Sequence, residues 1–199
     1  MSKTHLAVGV ASAMYVAATT TTGGSGAMLP ALMGGALGSV APDIDILDND
    51  YESDALIGQA IAVGSVALSL GIGQLAGLGI LSEITADQSV AIAGLVIYGV
   101  LCVIGFFQPH RGFTHSLLAM VLFTIAVALV YTPAAIYFMV AFVSHIAIDL
   151  LNKRGVQILF PLKFRPCLGI FYADSAASTV LMCVGLAASV VLIVKVLMM

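Results

Sequence analysis

Residues 89–107 read SVAIAGLVIYGVLCVIGFF, a run of nineteen residues that contains no charged side chain. A helix of this length approaches the roughly 20 residues that are needed to cross the hydrocarbon core of a bilayer. Residues 55–81 and 176–198 form two more apolar runs of this kind, and the last one is charged only at Lys195. These three segments predict a chain that spans a membrane.

The composition of the whole chain supports the same prediction. Of the 199 residues, 61% are hydrophobic and only 9% are charged, whereas a soluble domain carries about a quarter charged residues. This number of charges is too small to cover a water-facing surface. We therefore expect one membrane-embedded domain over residues 1–199, with membrane lipids as partners. The net charge of −3 argues against nucleic acid as a partner. Three widely spaced cysteines predict neither a disulfide framework nor a thiolate metal site.

Hydropathy divides the chain into seven apolar segments, which are 6–20, 27–41, 55–81, 89–107, 115–131, 133–151 and 176–198. The first two cover only ~22 Å at the helical rise per residue, so they are either short spans or a hairpin that dips into the bilayer. Gly34, Gly35 and Gly38 are spaced for close contact between helices. We therefore predict an all-α, polytopic membrane helical bundle of about five to seven transmembrane or half-membrane helices.

The order of these segments places most ionisable groups at one membrane face. If every segment crosses or returns, residues 1–5, 42–54, 108–114 and 150–175 share that face. Seven possible metal ligands then converge there, namely His5, Asp43, Asp45, His110, His115, His145 and Asp149. Because all lysines and arginines except Lys195 fall on the same side, the positive-inside rule predicts that this face is cytoplasmic.

The densest motif is HRGFTHS at residues 110–116. Pro109 ends the preceding helix, Gly112 permits a tight turn, and Thr114 is predicted as the N-cap of the next helix. Such a junction can direct the rings of His110 and His115 into one space. The alternative is that both histidines lie at the lipid headgroups.

Two further patterns carry metal-ligand chemistry. His145 and Asp149 are four residues apart, which places them on one face of a helix. Asp43 and Asp45 follow Pro42, and two such close carboxylates repel each other unless a cation lies between them. The alternative for His145 and Asp149 is a histidine that bonds to a neighbouring carboxylate inside the bundle. The alternative for Asp43 and Asp45 is an acidic loop that ends a helix. We interpret the following acids as solvated or facing headgroups: Asp48, Asp50, Glu52 and Asp54.

The basic residues at this face leave two interpretations open. Arg111 either clamps a phosphate or carboxylate of a substrate or neutralises Asp43 or Asp45. Lys163 and Arg165 are expected to attract anionic headgroups. Lys153 and Arg154 have either this role or that of holding a substrate phosphate.

The motifs PDID at 42–45, HRGFTHS at 110–116 and Ser144-His145 with Asp149, together with Thr4-His5, resemble the YdjM-type family. Its members are bacterial and phage inner-membrane proteins described as metal-dependent hydrolases, and the resemblance covers roughly residues 3–170. The family is grouped with the zinc-dependent phospholipase C and nuclease P1 type. This resemblance implies a mostly helical fold, His and Asp ligands around two or three zinc ions, and a phosphoester substrate, and we expect one to three ions in this chain.

We therefore hypothesise a metal-dependent hydrolase whose site is formed by residues 3–5, 42–45, 108–116 and 144–152. A divalent metal, with zinc preferred, would be bound by the seven residues that converge at one face. Asp43 or Asp45 would accept a proton and Arg111 would stabilise charge in the transition state, and the substrate would be a lipid ester or phosphoester. The alternative is a metal-stabilised membrane protein with a regulatory or binding role. A transporter is disfavoured because the helix centres carry no ionisable groups.

Overall fold

The computed structural model describes residues 2–20, 25–46, 52–172 and 175–198. This part of the chain forms eight α-helices and no β-strand: α1 Ser2–Thr19, α2 Ser25–Val40, α3 Glu52–Leu75, α4 Ile80–Thr85, α5 Gln88–Phe106, α6 Leu117–Val130, α7 Thr132–Leu151 and α8 Ala176–Leu197. Two 3-10 helices, Ala41–Asp45 and Phe113–His115, follow α2 and precede α6. The predicted all-α membrane bundle is confirmed.

Five of the described segments are long and apolar enough to cross a bilayer: Gly26–Asp45, Ser53–Leu75, Gln88–Phe106, Thr132–Leu151 and Ala176–Leu197. The span that contains α2 is 78% buried, whereas those of α3, α5 and α8 are about one-fifth buried. Because the exposed side chains of these three helices are largely apolar, we place α2 at the centre of the bundle and the other three against lipid.

Glycines bring α2 into backbone contact with its neighbours. A Cβ atom at Gly34 would lie 2.8 Å from the backbone nitrogen of Phe138 on α7, and one at Gly38 would collide with the carbonyl group of Phe138. A Cβ atom at Gly35 would lie 2.8 Å from Ala13 on α1. The predicted role of these glycines in close packing is confirmed, and this packing sets the distance between the C-terminal ends of α2 and α7.

The helix ends divide into two groups. At one end, Thr4 near the start of α1 bonds to Ser178 near the start of α8, and the backbone N–H of Ser2 donates to Asp54 near the start of α3. At the other end, Glu83, Asp87 and Thr132 line one cavity. This arrangement agrees with the alternation that the apolar segments predict.

Candidate metal centre

The first end of the bundle, where α1 begins and α2 and α7 end, gathers all seven of the predicted ligands. They form three overlapping groups of potential ligand atoms, each within 4.8 Å of one another: His5, His145 and Asp149; Asp43, His115 and His145; and Asp45, His110 and His115. Six of the seven side chains are buried, and only that of His110 reaches the surface, with 29% exposed. Their function as metal ligands stays a prediction.

Four side-chain atoms meet at the centre of this cluster. The Nε2 atom of His115 lies 3.2 Å from Asp149 Oδ2 and 3.7 Å from Asp43 Oδ1. The Nε2 atom of His145 lies 3.4 Å from Asp43 Oδ1 and 3.8 Å from Asp149 Oδ2. The two Nε2 atoms are 3.3 Å apart. Ligands on a tetrahedral zinc ion with bonds of about 2.0–2.1 Å are themselves about 3.3 Å apart, so the separations of the two nitrogens from each other and from their nearer carboxylate oxygens suit such an ion.

The charge of the cluster also suits a divalent cation. Asp43, Asp45 and Asp149 are buried together, and Arg111 supplies the one guanidinium group that contacts them among the described residues. With the imidazoles neutral, as metal ligation requires, two negative charges are left over, and burial of unpaired charge is costly.

His145 is held in one orientation by the end of α2. Its Nδ1 atom lies 2.6 Å from the carbonyl oxygen of Ser39, which belongs to the last turn of that helix. Carbonyl groups in a last helical turn lack partners within the helix. Because Nδ1–H donates to this oxygen, the lone pair of the neutral ring is on Nε2, which faces the centre.

His5 stacks on His145 with ring centroids 3.7 Å apart. Its Nε2 atom lies 3.5 Å from Asp149 Oδ1. Within the described residues, the Nδ1 atom of His5 is buried and has no hydrogen-bond partner. A buried nitrogen without a partner is a position that a cation or an ordered water can satisfy.

Asp45 joins the two most polar motifs. Its Oδ2 atom accepts hydrogen bonds from the backbone N–H of Arg111 at 3.0 Å and from the hydroxyl of Thr114 at 2.6 Å. The two histidines of HRGFTHS also face it, with His110 Nδ1 2.7 Å from Oδ1 and His115 Nδ1 3.2 Å from Oδ2. Asp45 therefore orients both rings.

The predicted N-cap of α6 is wrong. The hydroxyl of Ser116, not that of Thr114, accepts from the backbone N–H of Ala119 at 3.1 Å. Thr114 donates to the buried carboxylate of Asp45 instead. A charge-assisted hydrogen bond of this kind is stronger than a cap bond between neutral groups.

Arg111 has the left-handed backbone conformation, with φ of 62°. This is uncommon for a residue other than glycine. It lets the backbone N–H reach Asp45 while the guanidinium group donates to Asp149 Oδ1 at 2.7 Å and to the carbonyl oxygen of Arg154 at 2.6 Å. The guanidinium thus pairs with Asp149 rather than with Asp43 or Asp45. Its action on a transition state stays a prediction.

The family assignment follows from these motifs and their convergence. The sequence model of the YdjM inner membrane protein family matches residues 1–199. This chain belongs to that family. It is therefore a multi-pass inner membrane protein, in agreement with the five apolar helices. No curated protein and no solved structure matches the chain, and the remote relation to phospholipase C and nuclease P1 stays a prediction.

Sequence reasoning missed several contacts to the His and Asp cluster of this YdjM-family protein, and one of them comes from Ser2. The hydroxyl of Ser2 donates to Asp43 Oδ2 at 2.7 Å, across 41 positions of the chain. No local pattern marks such a partner. Asp54 is not simply solvated, because it bonds to Ser2 N–H and lies 3.4 Å from the ammonium group of Lys3. The predictions for Asp48 and Asp50 lie outside the described residues.

A basic cavity of about 510 Å³ lies at the surface beside the cluster and includes His110 in its lining. This cavity, here called the arginine pocket, is lined by His110, Arg111, Arg154, Gly155 and Arg165. Lys153 and Lys163 do not line it. The ammonium group of Lys153 lies over the ring of Tyr172, 4.2 Å from its centroid.

Proposed function

We propose that this YdjM-family protein is a membrane-bound, metal-dependent hydrolase that cleaves an ester or phosphoester of a lipid at the cytoplasmic face. The observation that carries the proposal is the convergence of two imidazole nitrogens and two carboxylate oxygens at 3.2–3.8 Å, next to a pocket that opens to the surface. A metal site that only stabilises a fold has no need of such an opening.

The four atoms at the centre are the proposed ligands of a divalent cation. Nitrogen and oxygen donors at these separations favour zinc, since magnesium and calcium prefer sets made entirely of oxygen. His5 is positioned to contribute a further nitrogen beside Asp149. The bound cation would lower the pKa of a water molecule and polarise the bond to be cleaved.

The remaining residues have separate tasks in this proposal. Asp45 holds the rings of His110 and His115 in their orientations. The proposal therefore needs no second cation between Asp45 and these two rings. His110 is the one member of the cluster that reaches the pocket, with Nδ1 held by Asp45, and we assign it the proton transfer to or from the substrate. Arg111 pairs with Asp149 and borders the pocket.

Metal analysis of the purified protein tests the cation site. We expect bound zinc in the parent protein, and a loss of at least roughly tenfold in zinc affinity in His115→Ala and in His145→Ala, because each change removes a ligand. Ser144→Ala is the matched control, since the Ser144 hydroxyl bonds only within its own helix, to the carbonyl oxygen of Ala141. Full zinc content in His145→Ala would remove that residue from the site.

Hydrolysis is tested separately with phospholipids and simple phosphoesters. We expect His110→Ala to keep its zinc and to lose most of the turnover, roughly a hundredfold, because general acid–base catalysis contributes about that factor or more. A parent protein that binds zinc but hydrolyses none of these substrates would support the non-catalytic alternative instead.

A further inference from the structure

The arginine pocket has a charge pattern that the metal site does not require. Three arginines line one cavity, and among the described residues no acidic side chain lines it. Among the described residues, neither Arg154 nor Arg165 has a carboxylate within ion-pair distance, and both are exposed. Arg111 is already engaged with Asp149, so Arg154 and Arg165 are the two groups that remain to receive a ligand.

The backbone holds these two arginines at one place. The carbonyl oxygen of Arg111 accepts from Gln157 N–H at 3.0 Å, and the carbonyl oxygen of Arg154 accepts from the Arg111 guanidinium at 2.6 Å. A Cβ atom at Gly155 would lie 3.0 Å from that of Arg165, so the absence of a side chain lets the two segments touch. The pocket is therefore built by contacts with the metal cluster.

We propose that the arginine pocket binds the phosphate group of a phosphomonoester, which names the substrate class of the proposed hydrolase and rests on that function. Paired guanidinium groups match the oxygens of phosphate by bidentate hydrogen bonds. Two such groups beside a divalent cation suit the charge of a phosphomonoester, about −1.5 to −2, better than the single charge of a carboxylate or a diester.

The surroundings of the pocket indicate that this phosphate belongs to a lipid. The segment that carries Arg165 exposes large apolar side chains, namely Leu162, Phe164, Leu168 and Ile170. A loop that combines such side chains with basic residues lies at the membrane interface, at the level of the headgroups. A lipid headgroup that ends in phosphate can then enter the pocket from the bilayer plane.

Binding of inorganic phosphate to the full chain in detergent tests the pocket, with the protein either loaded with zinc or treated with chelator. We expect Arg154→Ala and Arg165→Ala each to weaken phosphate binding roughly tenfold, because each removes a charge-assisted donor pair. The Arg154 carbonyl that orders Arg111 is retained in both variants. Lys153→Ala and Lys163→Ala remove the same charge outside the pocket and should change the affinity less than about twofold.

Two results with the alanine variants would overturn the proposal. One is unchanged phosphate affinity in both arginine variants, and the other is an equal loss in the lysine controls, which would mean diffuse attraction. Arg165→Lys guards against a misfolded alanine variant, since it keeps the charge and loses the bidentate geometry, and it should bind phosphate several-fold more weakly. Full affinity in this variant would also contradict the proposal.

The two proposals fail separately. Phosphate binding that depends on the arginines in chelator-treated protein supports the pocket even if no zinc site or hydrolysis is found. Zinc-dependent hydrolysis with no effect of the arginines on phosphate binding supports the function and refutes the pocket. Nanodiscs that contain phosphatidic acid should compete with inorganic phosphate, whereas phosphatidylglycerol at equal surface charge should not, and a failure of phosphatidic acid to compete would refute the lipid source.

Discussion

The two ends of the bundle use aspartate in opposite ways. Asp87 is exposed and serves its own helix, because its Oδ1 atom accepts from Val90 N–H at 3.2 Å and from the hydroxyl of Ser89 at 2.6 Å. Asp149, at the other end, is 1% exposed and is bonded to Arg111, which is 38 positions away in the chain. The first set of contacts forms with one helix turn, and the second exists only when the bundle has assembled.

This difference separates a stabilising role from the role of a site. A cap residue stabilises one end of its own helix, and this contact does not depend on the rest of the fold. A buried carboxylate among histidines is costly unless a cation or a donor accompanies it. We therefore interpret the end that holds Asp149 as the functional end, and the contacts of Asp87 at the opposite end as stabilising one helix. The following substitutions test that contrast.

The largest effect is expected from Asp149→Ala. In zinc-containing buffer the change removes a proposed ligand and leaves Arg111 without its buried partner, which should cost about 3–5 kcal/mol of the free energy of unfolding. Thermal unfolding in detergent should show a fall of roughly 10 °C in the midpoint. In chelator the loss should be smaller, because the change also removes repulsion among three carboxylates.

Asp87→Ala is the control for this variant at the opposite end. It removes a cap and should cost about 1 kcal/mol, equally in zinc and in chelator. A zinc-dependent loss in Asp87→Ala, or the same loss for Asp149→Ala in both buffers, would contradict the contrast between the two ends.

A smaller effect is expected from Gly38→Ala. The added methyl group would collide with the carbonyl group of Phe138 and push α2 away from α7, at a cost of about 1–3 kcal/mol. Because Ser39 and His145 lie on these two helices, zinc affinity should fall together with the thermal midpoint. Gly71→Ala on α3 meets no atom within 4 Å and should change neither quantity. Unaltered zinc affinity in destabilised Gly38→Ala would show that helix spacing does not position the ligands.

The smallest effect is expected from Thr114→Val. The change removes the hydroxyl that donates to Asp45 but no proposed ligand, so zinc affinity should fall about tenfold while the fold persists. Thr124→Val is the matched control, because the Thr124 hydroxyl bonds only to the carbonyl oxygen of Met120 in its own helix. Zinc titration of both variants provides the measurement. If Thr114→Val and Thr124→Val bound zinc with equal affinity, the hydrogen bond from Thr114 to Asp45 would have no part in positioning the zinc ligands.

Much of the architecture could be predicted from local patterns. Uncharged runs such as residues 89–107 identify membrane helices because a bilayer leaves no alternative to the helix for a spanning segment. The alternation of these runs across the membrane also predicted that most ionisable residues lie at one end of the bundle. Local patterns failed where two hydrogen-bonding options competed, as at Thr114, which prefers Asp45 to the N-cap of α6.

Composition, apolar segment lengths and the spacing of the His and Asp motifs by themselves determined that this is an all-α membrane protein with most of its ionisable groups at one end. Only the tertiary structure decided that Arg111 pairs with Asp149, that Ser39 orients His145 and that Arg154 and Arg165 share one pocket. The physical reason is range. Hydropathy acts on each segment independently, whereas a hydrogen bond across tens of residues depends on how closely the helices pack.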